Sequence, residues 1–373
     1  MGPSIYKHCI GYVIFFVIIL IYFTATNVEH ISNEWNYLPP KRDIQIWAKA
    51  AIAEYLWFHI LNGHTESFYN GFYNNGNITL NGLTFYYLSG PGYIQTTVPQ
   101  TVEYLILILN GHTLEHVTNA LNWLEYIPQL TSLKKLAVIV LGSENCEDNW
   151  ITKYLKSKGG PIDVLFMVYD SPLIDNKEVY QWPLGVATYR HFPKYNATQV
   201  NLFKKRKYTC NFVGTVYKGS SREALRSILN HSSFKHNCLL VDRDVWPAKE
   251  TKTSLNRYIN ILNSSDFTLC PTGANTECYR IYEAISLGST PIVEDVMTPG
   301  KCVAPLRLLK KYNPPIIFIK DWSELNGTLY NKNKFKLKSH RIHLLKWYSN
   351  FKIKMAKHFL QVITTSFFPP TQT

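Results

Sequence analysis

The sequence predicts an α/β protein of two lobes facing a cleft, each a parallel sheet flanked by helices, preceded by one transmembrane helix. Three observations lead to this prediction. Short apolar strands alternate with helical segments along most of the chain. The segment QWPLGVATYRHFP, at 181–193, is rich in Pro, Gly and aromatic residues and divides the alternation into two halves. Near the N-terminus, an apolar run has the length of a membrane span.

The apolar run at 9–26, with GYVIFFVIILIYF at its centre, is interpreted as a signal anchor. A cleaved signal peptide is the alternative, but no A-x-A-like cleavage site follows, and Tyr12 and Tyr22 lie near the two ends. Lys7 precedes the run and Glu29 follows it. The tail at 1–8 is therefore predicted to stay cytosolic, and the body to enter the lumen in type II topology after a stem at 27–41.

Five Asn-X-Ser/Thr sequons agree with a lumenal, glycosylated body. They lie at Asn77, Asn196, Asn230, Asn263 and Asn326. A few such sequons arise by chance in a chain of this length, so they support the predicted topology without establishing it.

The cysteines point to the same compartment. Of the seven, Cys9 falls in the predicted anchor, which leaves an even six in the body. In an oxidising space these allow up to three disulfides, with the connectivity open and buried thiols as the alternative. The six are Cys146, Cys210, Cys238, Cys270, Cys278 and Cys302. Their spacing is not typical of zinc ligands.

The net charge of +13 indicates an acidic partner. Behind a membrane anchor, nucleotide diphosphates, phosphorylated glycans and acidic membrane surfaces fit this charge, whereas nucleic acid does not. The two densest basic runs, at 204–207 and 332–338, are interpreted as solvated faces and assigned to no site.

The half of the body before the divider predicts one lobe of helices and strands. The predicted helices are Ala48–Leu61 and Leu114–Tyr126, and the predicted strands are Glu103–Leu109, Leu136–Leu141 and Val164–Val168. With a boundary near Pro183, the predicted domains are 42–183 and 184–345, followed by a C-terminal helix and tail at 346–373.

The second half contains the most informative unit of the chain. Strands are predicted at Tyr208–Thr215, Cys238–Val241, Phe267–Cys270 and Thr290–Val293, and helices at Ser221–Leu229 and Glu277–Leu287. Gly288 is predicted to end the second helix. A strand, a polar turn and a helix in this order place free backbone N–H groups and the positive end of a helix dipole above the strand ends, where a diphosphate binds.

Side chains near this helix start suit a nucleotide. Arg280 and Glu283 lie three residues apart on one helical face, so a guanidinium can hold phosphate oxygens while a carboxylate accepts from a ribose. A surface ion pair is the alternative. Gly214 allows close backbone approach at the end of an earlier strand, and Arg222 on the helix after it is a second phosphate ligand.

The segments at 211–226 and 266–296 together resemble the exostosin-type glycosyltransferases. That family carries a similar FxG strand, CPxG turn and RxYEA helix, here NFVG, CPTG and RIYEA. With QWPLGVATYRHFP and PIVEDVMTPG, the match is more narrowly similar to xylosyltransferases that act on ribitol-5-phosphate in the α-dystroglycan glycan pathway. It covers about 180–301.

The resemblance implies a GT-B architecture of two Rossmann-like domains, in a Golgi type II membrane protein. It implies that the first domain binds the acceptor and the second binds the nucleotide sugar. UDP-xylose would donate xylose, with inversion, to ribitol-5-phosphate on a phosphorylated O-mannosyl glycan of a glycoprotein. Other Golgi glycosyltransferases of the same pathway would be its partners, and no cofactor is required.

The resemblance also assigns roles to residues. Arg280 would bind the donor diphosphate and Glu283 the ribose hydroxyls, because both fall on the RxYEA motif. Gly214 falls on the FxG motif, and Arg222 would be the second phosphate ligand. The approach to the helix start would be formed by Gly273, Asn275 and Thr276. These groups would stabilise the charge on the departing UDP in place of a metal.

A metal-dependent GT-A enzyme remains as an alternative. Asp242 and Asp244 form a DxD sequence after an apolar strand, as in manganese-binding glycosyltransferases. The main prediction is a site without a metal, because one DxD arises often by chance.

The catalytic base is the least determined part of the predicted site. Inversion by direct displacement needs one group that takes the acceptor hydroxyl proton. Asp170 is the first choice, because VLFMVYD ends a buried strand with an acid at its carboxyl end. The alternative role for Asp170 is to cap a turn. His112, after the LILILNGH strand, is the alternate base.

Three functions therefore stay open from the sequence. The first is the UDP-xylose-dependent transferase, and the second is another exostosin-like UDP-sugar transferase. The third is a non-catalytic anchored lectin or assembly subunit that keeps the fold. Arg280 and Glu283 favour an enzyme, because a binding-only protein has no physical need for a diphosphate clamp.

Overall fold

A computed structural model describes residues 42–202, 204–243, 250–331 and 337–370. From Asp43 onward the chain forms one compact unit that contains two sheets. The predicted cytosolic tail, transmembrane helix and stem, at 1–41, lie outside the described residues. Within the described ranges, no helix combines the length and the apolar character that crossing a membrane requires.

The first sheet has eight strands in the order β2-β3-β4-β1-β5-β6-β7-β8. The strands are β1 Asp43–Ala48, β2 Glu66–Phe68, β3 Tyr73–Leu80, β4 Leu83–Ser89, β5 Tyr104–Asn110, β6 Lys135–Leu141, β7 Val164–Val168 and β8 Val179–Trp182. From β4 to β8 all neighbours are parallel, whereas β2, β3 and β4 are antiparallel and form one edge. The strands β5, β6 and β7 lie inside the sheet with both faces buried, and their sequences are therefore continuous apolar runs.

Two helices of this lobe connect the strands. The first, α1, begins at Ile52–Glu54 and continues as a π-helix over Tyr55–Ile60. The second, α2, spans Leu114–Tyr126 and is capped by Thr113, whose hydroxyl accepts from the backbone N–H of His116. The prediction of helix from Ala48 was wrong at its start, because Ala48 ends β1, where it pairs with Ser89.

The second sheet has five parallel strands in the order β10-β9-β11-β12-β13. They are β9 Tyr208–Thr215, β10 Cys238–Arg243, β11 Ser265–Cys270, β12 Thr290–Glu294 and β13 Ile317–Ile319. The helices are α3 Ser221–His231, α4 Lys252–Asn263, α5 Tyr279–Ser286, α6 Arg307–Lys311 and α7 Leu325–Tyr330. The predicted α/β fold with parallel sheets is confirmed.

A long final helix, α8 Leu337–Phe367, contacts β7 of the first sheet and α5 of the second lobe. Its Phe351 ring lies 6.4 Å from Tyr282 in the second lobe, and its Phe359 ring lies 5.7 Å from Phe166 and 5.8 Å from Trp182 in the first. One buried apolar cluster therefore extends through both lobes and fixes their arrangement.

Two disulfides form among the six cysteines of the body. Cys210–Cys238 joins the neighbouring strands β9 and β10, and Cys146–Cys302 joins a loop of the first lobe to a loop of the second. Cys270 and Cys278 are free thiols. The structure thus contains two of the three disulfides that the cysteine count allowed.

The five sequons lie on described elements. Asn77 on β3, Asn196 in the segment between the lobes and Asn230 on α3 have exposed side chains, whereas Asn263 and Asn326 are half-buried. Glycosylation of these residues stays a prediction.

Candidate active site

The candidate site lies where β9, β11 and β12 of the second sheet end together. At this edge the backbone comes close to two arginines. A Cβ atom at Gly214 would lie 3.0 Å from Nη2 of Arg280, and one at Gly273 would lie 3.1 Å from Nη2 of Arg222. Both contacts are tight for a Cβ, so glycine suits these positions. Of the predicted donor ligands, the structure brings these four together.

Both guanidinium groups are held by the end of β9. Nη2 of Arg280 donates to the carbonyl oxygen of Val213 at 3.0 Å, and Nη1 of Arg222 donates to that of Thr215 at 2.9 Å. Arg280 also lies over the ring of Phe212, 5.0 Å from its centroid. The carbonyls and the ring therefore fix the direction of both side chains.

The two arginines retain unused donors. Nε of Arg222, Nε of Arg280 and the hydroxyl of Thr215 are buried and have no hydrogen-bond partner in the described part of the chain. Neither guanidinium is paired with a carboxylate of the described residues. Burial, and then the like charge of Arg280, lower the pKa of Arg222 from its usual value. Two neighbouring cations with unused N–H groups form a site for a polyanion.

The α5 helix begins later than the spacing predicted. It starts at Tyr279 instead of Glu277, because Cys278 is extended and acts as the N-cap. No side chain caps this end, so free backbone N–H groups remain there. A hydrogen bond with Cys270 and the charges of Arg280 and Arg222 lower the pKa of the Cys278 thiol from its usual value. An acidic thiol therefore lies beside the two arginines.

Glu283 is almost fully buried and already has two protein donors. Its Oε1 accepts from the backbone N–H of Ala187 at 3.1 Å, and its Oε2 accepts from the hydroxyl of Tyr258 at 2.6 Å. Burial raises the pKa of its carboxyl group. These contacts tie the segment between the lobes to α5, and the contact with a ribose stays a prediction.

Asn275 and Thr276 are both hydrogen-bonded to other protein groups. Asn275 donates from Nδ2 to the carbonyl oxygen of Glu144 at 2.8 Å, and its Oδ1 accepts from the backbone N–H of Glu277. The hydroxyl of Thr276 donates to the carbonyl oxygen of Val296 at 2.7 Å. Both side chains are almost fully buried. They position the turn before α5, and their part in donor binding stays a prediction.

Asp170 is fully buried at the junction of the lobes. Its Oδ2 accepts from the backbone N–H groups of Val303 and Ala304, at 2.6 and 2.7 Å, and Nη2 of Arg307 lies 3.1 Å from its Oδ1. A base must reach the acceptor hydroxyl, and this carboxylate lies enclosed by the other lobe. Its contacts are those of a residue that joins the lobes.

His112, the alternate base, is less buried than Asp170. It follows β5, at the carboxyl edge of the first sheet, and is only half-buried. Its backbone N–H donates to Oδ1 of Asn110 at 3.0 Å, while Nδ1 of its ring has no partner among the described residues. This nitrogen is itself buried, and the role of His112 as the base stays a prediction.

The DxD sequence is only partly described. Asp242 is exposed, and its Oδ2 lies 3.5 Å from Nη1 of Arg226, whereas Asp244 lies outside the described residues. Among the residues that are described, no three His, Cys, Asp or Glu side chains are grouped as metal ligands.

Glu277 is a site residue that the sequence analysis missed. Its Oε1 accepts from the backbone N–H of Leu184 at 3.2 Å and from the hydroxyl of Tyr282, while Oε2 is buried without a partner. Burial raises the pKa of this carboxyl group to about 7. The only signal in the sequence for a role of Glu277 is its position next to Cys278, just before α5.

Glu277→Gln is expected to stabilise the fold at pH 8 by on the order of 3 kcal/mol. The folded pKa, about 7, lies above the ordinary value of 4.5, so the wild type loses stability as the pH rises from 4.5 to about 7, while the amide cannot ionise. Urea unfolding at pH 5 and pH 8 measures the difference. Glu103→Gln, at an exposed carboxylate, is the control. A gain at pH 5 as large as that at pH 8 would contradict this account.

Comparison with known proteins identifies the family. The model described as RXYLT1 N-terminal domain matches residues 44–183, and the RXYLT1 C-terminal domain matches 189–368. Ribitol-5-phosphate xylosyltransferase 1 of Danio rerio is 43% identical over 89% of this chain and 79% of its own length. The protein of the same name from Homo sapiens is 43% identical over 87% of this chain and 76% of its own length.

Solved glycosyltransferase structures show more distant likeness. The GtfA/B complex has a TM-score of 0.44 at 8% identity, covering 80% of this chain and 71% of its own. The α,α-trehalose 6-phosphate synthase of Burkholderia multivorans has a TM-score of 0.46 at 9% identity, covering 87% of this chain and 98% of its own. The sequence relatives and both family models carry the identification: this protein is a glycosyltransferase that belongs to the ribitol-5-phosphate xylosyltransferase 1 family.

Proposed function

We propose that this protein transfers xylose from UDP-xylose to ribitol-5-phosphate on the phosphorylated O-mannosyl glycan of α-dystroglycan. The names of the relatives support the sugar and the acceptor. The reaction inverts the anomeric carbon by direct displacement: the acceptor hydroxyl attacks as UDP leaves, and a base takes the hydroxyl proton.

The observation that carries this proposal is the arginine pair at the end of β9. Arg222 and Arg280 hold unused buried N–H groups beside two glycines, which suits a diphosphate that must come close to backbone. Negative charge grows on the diphosphate as the sugar bond breaks. Fixed cations at that position stabilise the transition state more than the ground state.

The acceptor side of the reaction is assigned to the first lobe. His112 lies at the carboxyl edge of that lobe and has an unpartnered ring nitrogen, so it serves as the base in this proposal. Arg222 and Arg280 balance the charge of the leaving group without a metal. Transfer that stops in EDTA and returns with manganese would instead favour the DxD residues.

The proposal includes the location in the cell. We place the protein in the Golgi membrane as a single-pass type II protein with a lumenal catalytic body. The Cys146–Cys302 and Cys210–Cys238 disulfides support an oxidising compartment, and three exposed sequon asparagines are compatible with a glycoprotein. Golgi glycosyltransferases of the same pathway are its proposed partners, and nucleic acid is not.

A donor screen tests the proposal. The secreted body is incubated with a panel of UDP-sugars and a ribitol-phosphate acceptor, and transfer is measured by mass spectrometry. Transfer from UDP-xylose alone supports the proposal. Preference for UDP-glucuronate or UDP-N-acetylglucosamine would indicate another exostosin-like transferase. UDP binding without transfer from any donor would indicate a non-catalytic lectin or assembly subunit.

A further inference from the structure

One part of the first lobe carries no charged side chain, unlike the rest of this basic chain. The 36 residues from Ser67 to Val102 contain no Asp, Glu, Lys, Arg or His. Instead, tyrosine and asparagine side chains recur between the apolar positions. The stretch covers most of β2, all of β3 and β4, and the loop that follows β4. The exposed side chains of this stretch carry no charge, so they do not supply the cations that would bind a polyanion or an acidic membrane.

Aromatic rings at one end of this stretch are exposed to solvent. The exposed fractions are 82% for Tyr69, 47% for Phe72 and 43% for Phe68. Phe72 and Tyr69 make edge contacts with Tyr73, at 5.0 and 6.1 Å between centroids. Tyr73 in turn makes an edge contact with Tyr93 at 5.0 Å. We call the group Phe68, Tyr69, Phe72, Tyr73 and Tyr93 the aromatic rim. Exposed rings grouped in this way indicate a binding surface.

The backbone of the rim is held in a constrained shape. Tyr69 has φ of 49° and Asn70 has φ of 55°, a left-handed conformation that is disfavoured for a bulky side chain such as tyrosine. The neighbouring loop is tied to the rim, because the backbone N–H of Gly92 donates to the carbonyl oxygen of Phe72 at 2.9 Å. Nζ of Lys49, the residue after β1, donates to the carbonyl oxygen of Tyr93. The exposed rings therefore stand on a fixed support.

The sheet places this rim on the edge that binds substrates. The parallel strands β1 and β4 end at Ala48 and Ser89, and Ser89 pairs with Asn74 at the start of antiparallel β3. The rim thus lies at the same carboxyl edge as His112. Three strand spacings separate β3 from β5, which His112 follows, or about 14 Å. A chain-like acceptor can extend along this edge from the reacting end to the rim.

We propose that the aromatic rim binds neutral sugar units of the acceptor glycan, away from the end that receives the new sugar. This inference rests on the proposed function. Apolar C–H faces of a sugar pack on aromatic rings, and the Asn and Tyr side chains supply hydrogen-bond partners for hydroxyl groups. The absence of charge from Ser67 to Val102 selects neutral sugars over phosphorylated ones at this position.

The test compares a long with a short acceptor in the variant Tyr69→Ala/Phe72→Ala. With an acceptor that carries the O-mannosyl glycan, KM is expected to rise about tenfold, as for loss of one aromatic anchor. With free ribitol-5-phosphate, KM and kcat are expected to stay unchanged. Tyr330→Ala, at a 64% exposed tyrosine of the other lobe, is the matched control. An equal loss with both acceptors, or no loss with either, overturns the proposal.

Further measurements distinguish a bound acceptor glycan from other occupants of the aromatic rim. Calorimetry in the absence of donor measures how tightly the whole protein binds the unphosphorylated glycan. This measurement tests the rim even if the protein transfers no sugar. Binding that is unchanged by Tyr69→Ala/Phe72→Ala overturns the proposal. An effect that disappears in an Asn77→Gln background would assign the rim to the chain's own glycan. A change of sedimentation coefficient in the double variant would assign it to a second copy of the chain. Either result overturns the proposal.

Discussion

Arg280→Ala is expected to lower kcat for sugar transfer by about 10²–10³-fold, the usual loss for one preorganised charge-stabilising donor. Arg280 is fixed by the carbonyl oxygen of Val213 and by the ring of Phe212, and its Nε has no partner among the residues that the structure describes. It is therefore already oriented when the donor binds. Removing it leaves the growing charge of the diphosphate with Arg222 alone.

Two control variants distinguish this role from a structural one. Arg280→Lys keeps the charge but loses the planar fork, so a partial loss of kcat is expected. Arg226→Ala removes a half-exposed arginine of α3, whose partners are Glu223 and Asp242, and kcat is expected to stay within about twofold of wild type. Steady-state kinetics on all three proteins provide the measurement. Equal losses in Arg226→Ala and Arg280→Ala would contradict the assignment.

Removal of the Cys146–Cys302 disulfide is expected to cost about 2–5 kcal/mol of unfolding free energy. The two cysteines are 156 residues apart in sequence, so the bond closes a long loop in the unfolded chain. It also joins the loop that contains Glu144 to the second lobe, where Asn275 binds the carbonyl oxygen of Glu144. The double variant Cys146→Ala/Cys302→Ala should therefore unfold at lower urea and bind UDP more weakly.

The second disulfide supplies the matched control. Cys210 and Cys238 are 28 residues apart and join neighbouring strands of one sheet, so their removal is expected to cost less and to leave the junction of the lobes intact. Urea unfolding and UDP titration of both double variants compare the two bonds. A smaller loss of stability in Cys146→Ala/Cys302→Ala than in Cys210→Ala/Cys238→Ala would contradict this account.

Segments with strong local patterns could be predicted from the sequence. The apolar run at Tyr208–Thr215 and the helical pattern at Leu114–Tyr126 were predicted with the bounds that the structure has. The strands β2, β3 and β4 were missed, and in β3 Asn and Gly residues interrupt the alternation that marks a strand. Their pairing depends on neighbours in the sheet and less on their own composition.

Side-chain roles in the site depended on contacts between distant parts of the chain. The proximity of Arg222 to Arg280 could be predicted from local motifs, because each residue follows a strand of the same sheet. Asp170 is enclosed by residues 303–307 of the other lobe, a contact that no local pattern contains. Asn275 likewise meets Glu144, 131 residues away in sequence. For both residues, contacts with the opposite lobe determine which groups the side chain binds.

Calorimetric titration of the lumenal body with UDP tests the central claim most directly, because the claim is that Arg222 and Arg280 form a diphosphate site. The account predicts measurable binding by the wild type and by Arg226→Ala, with affinity at least tenfold weaker in Arg280→Ala, as expected for one lost charge-assisted contact. Absence of binding by the wild type, or equal affinity in Arg280→Ala, would contradict it.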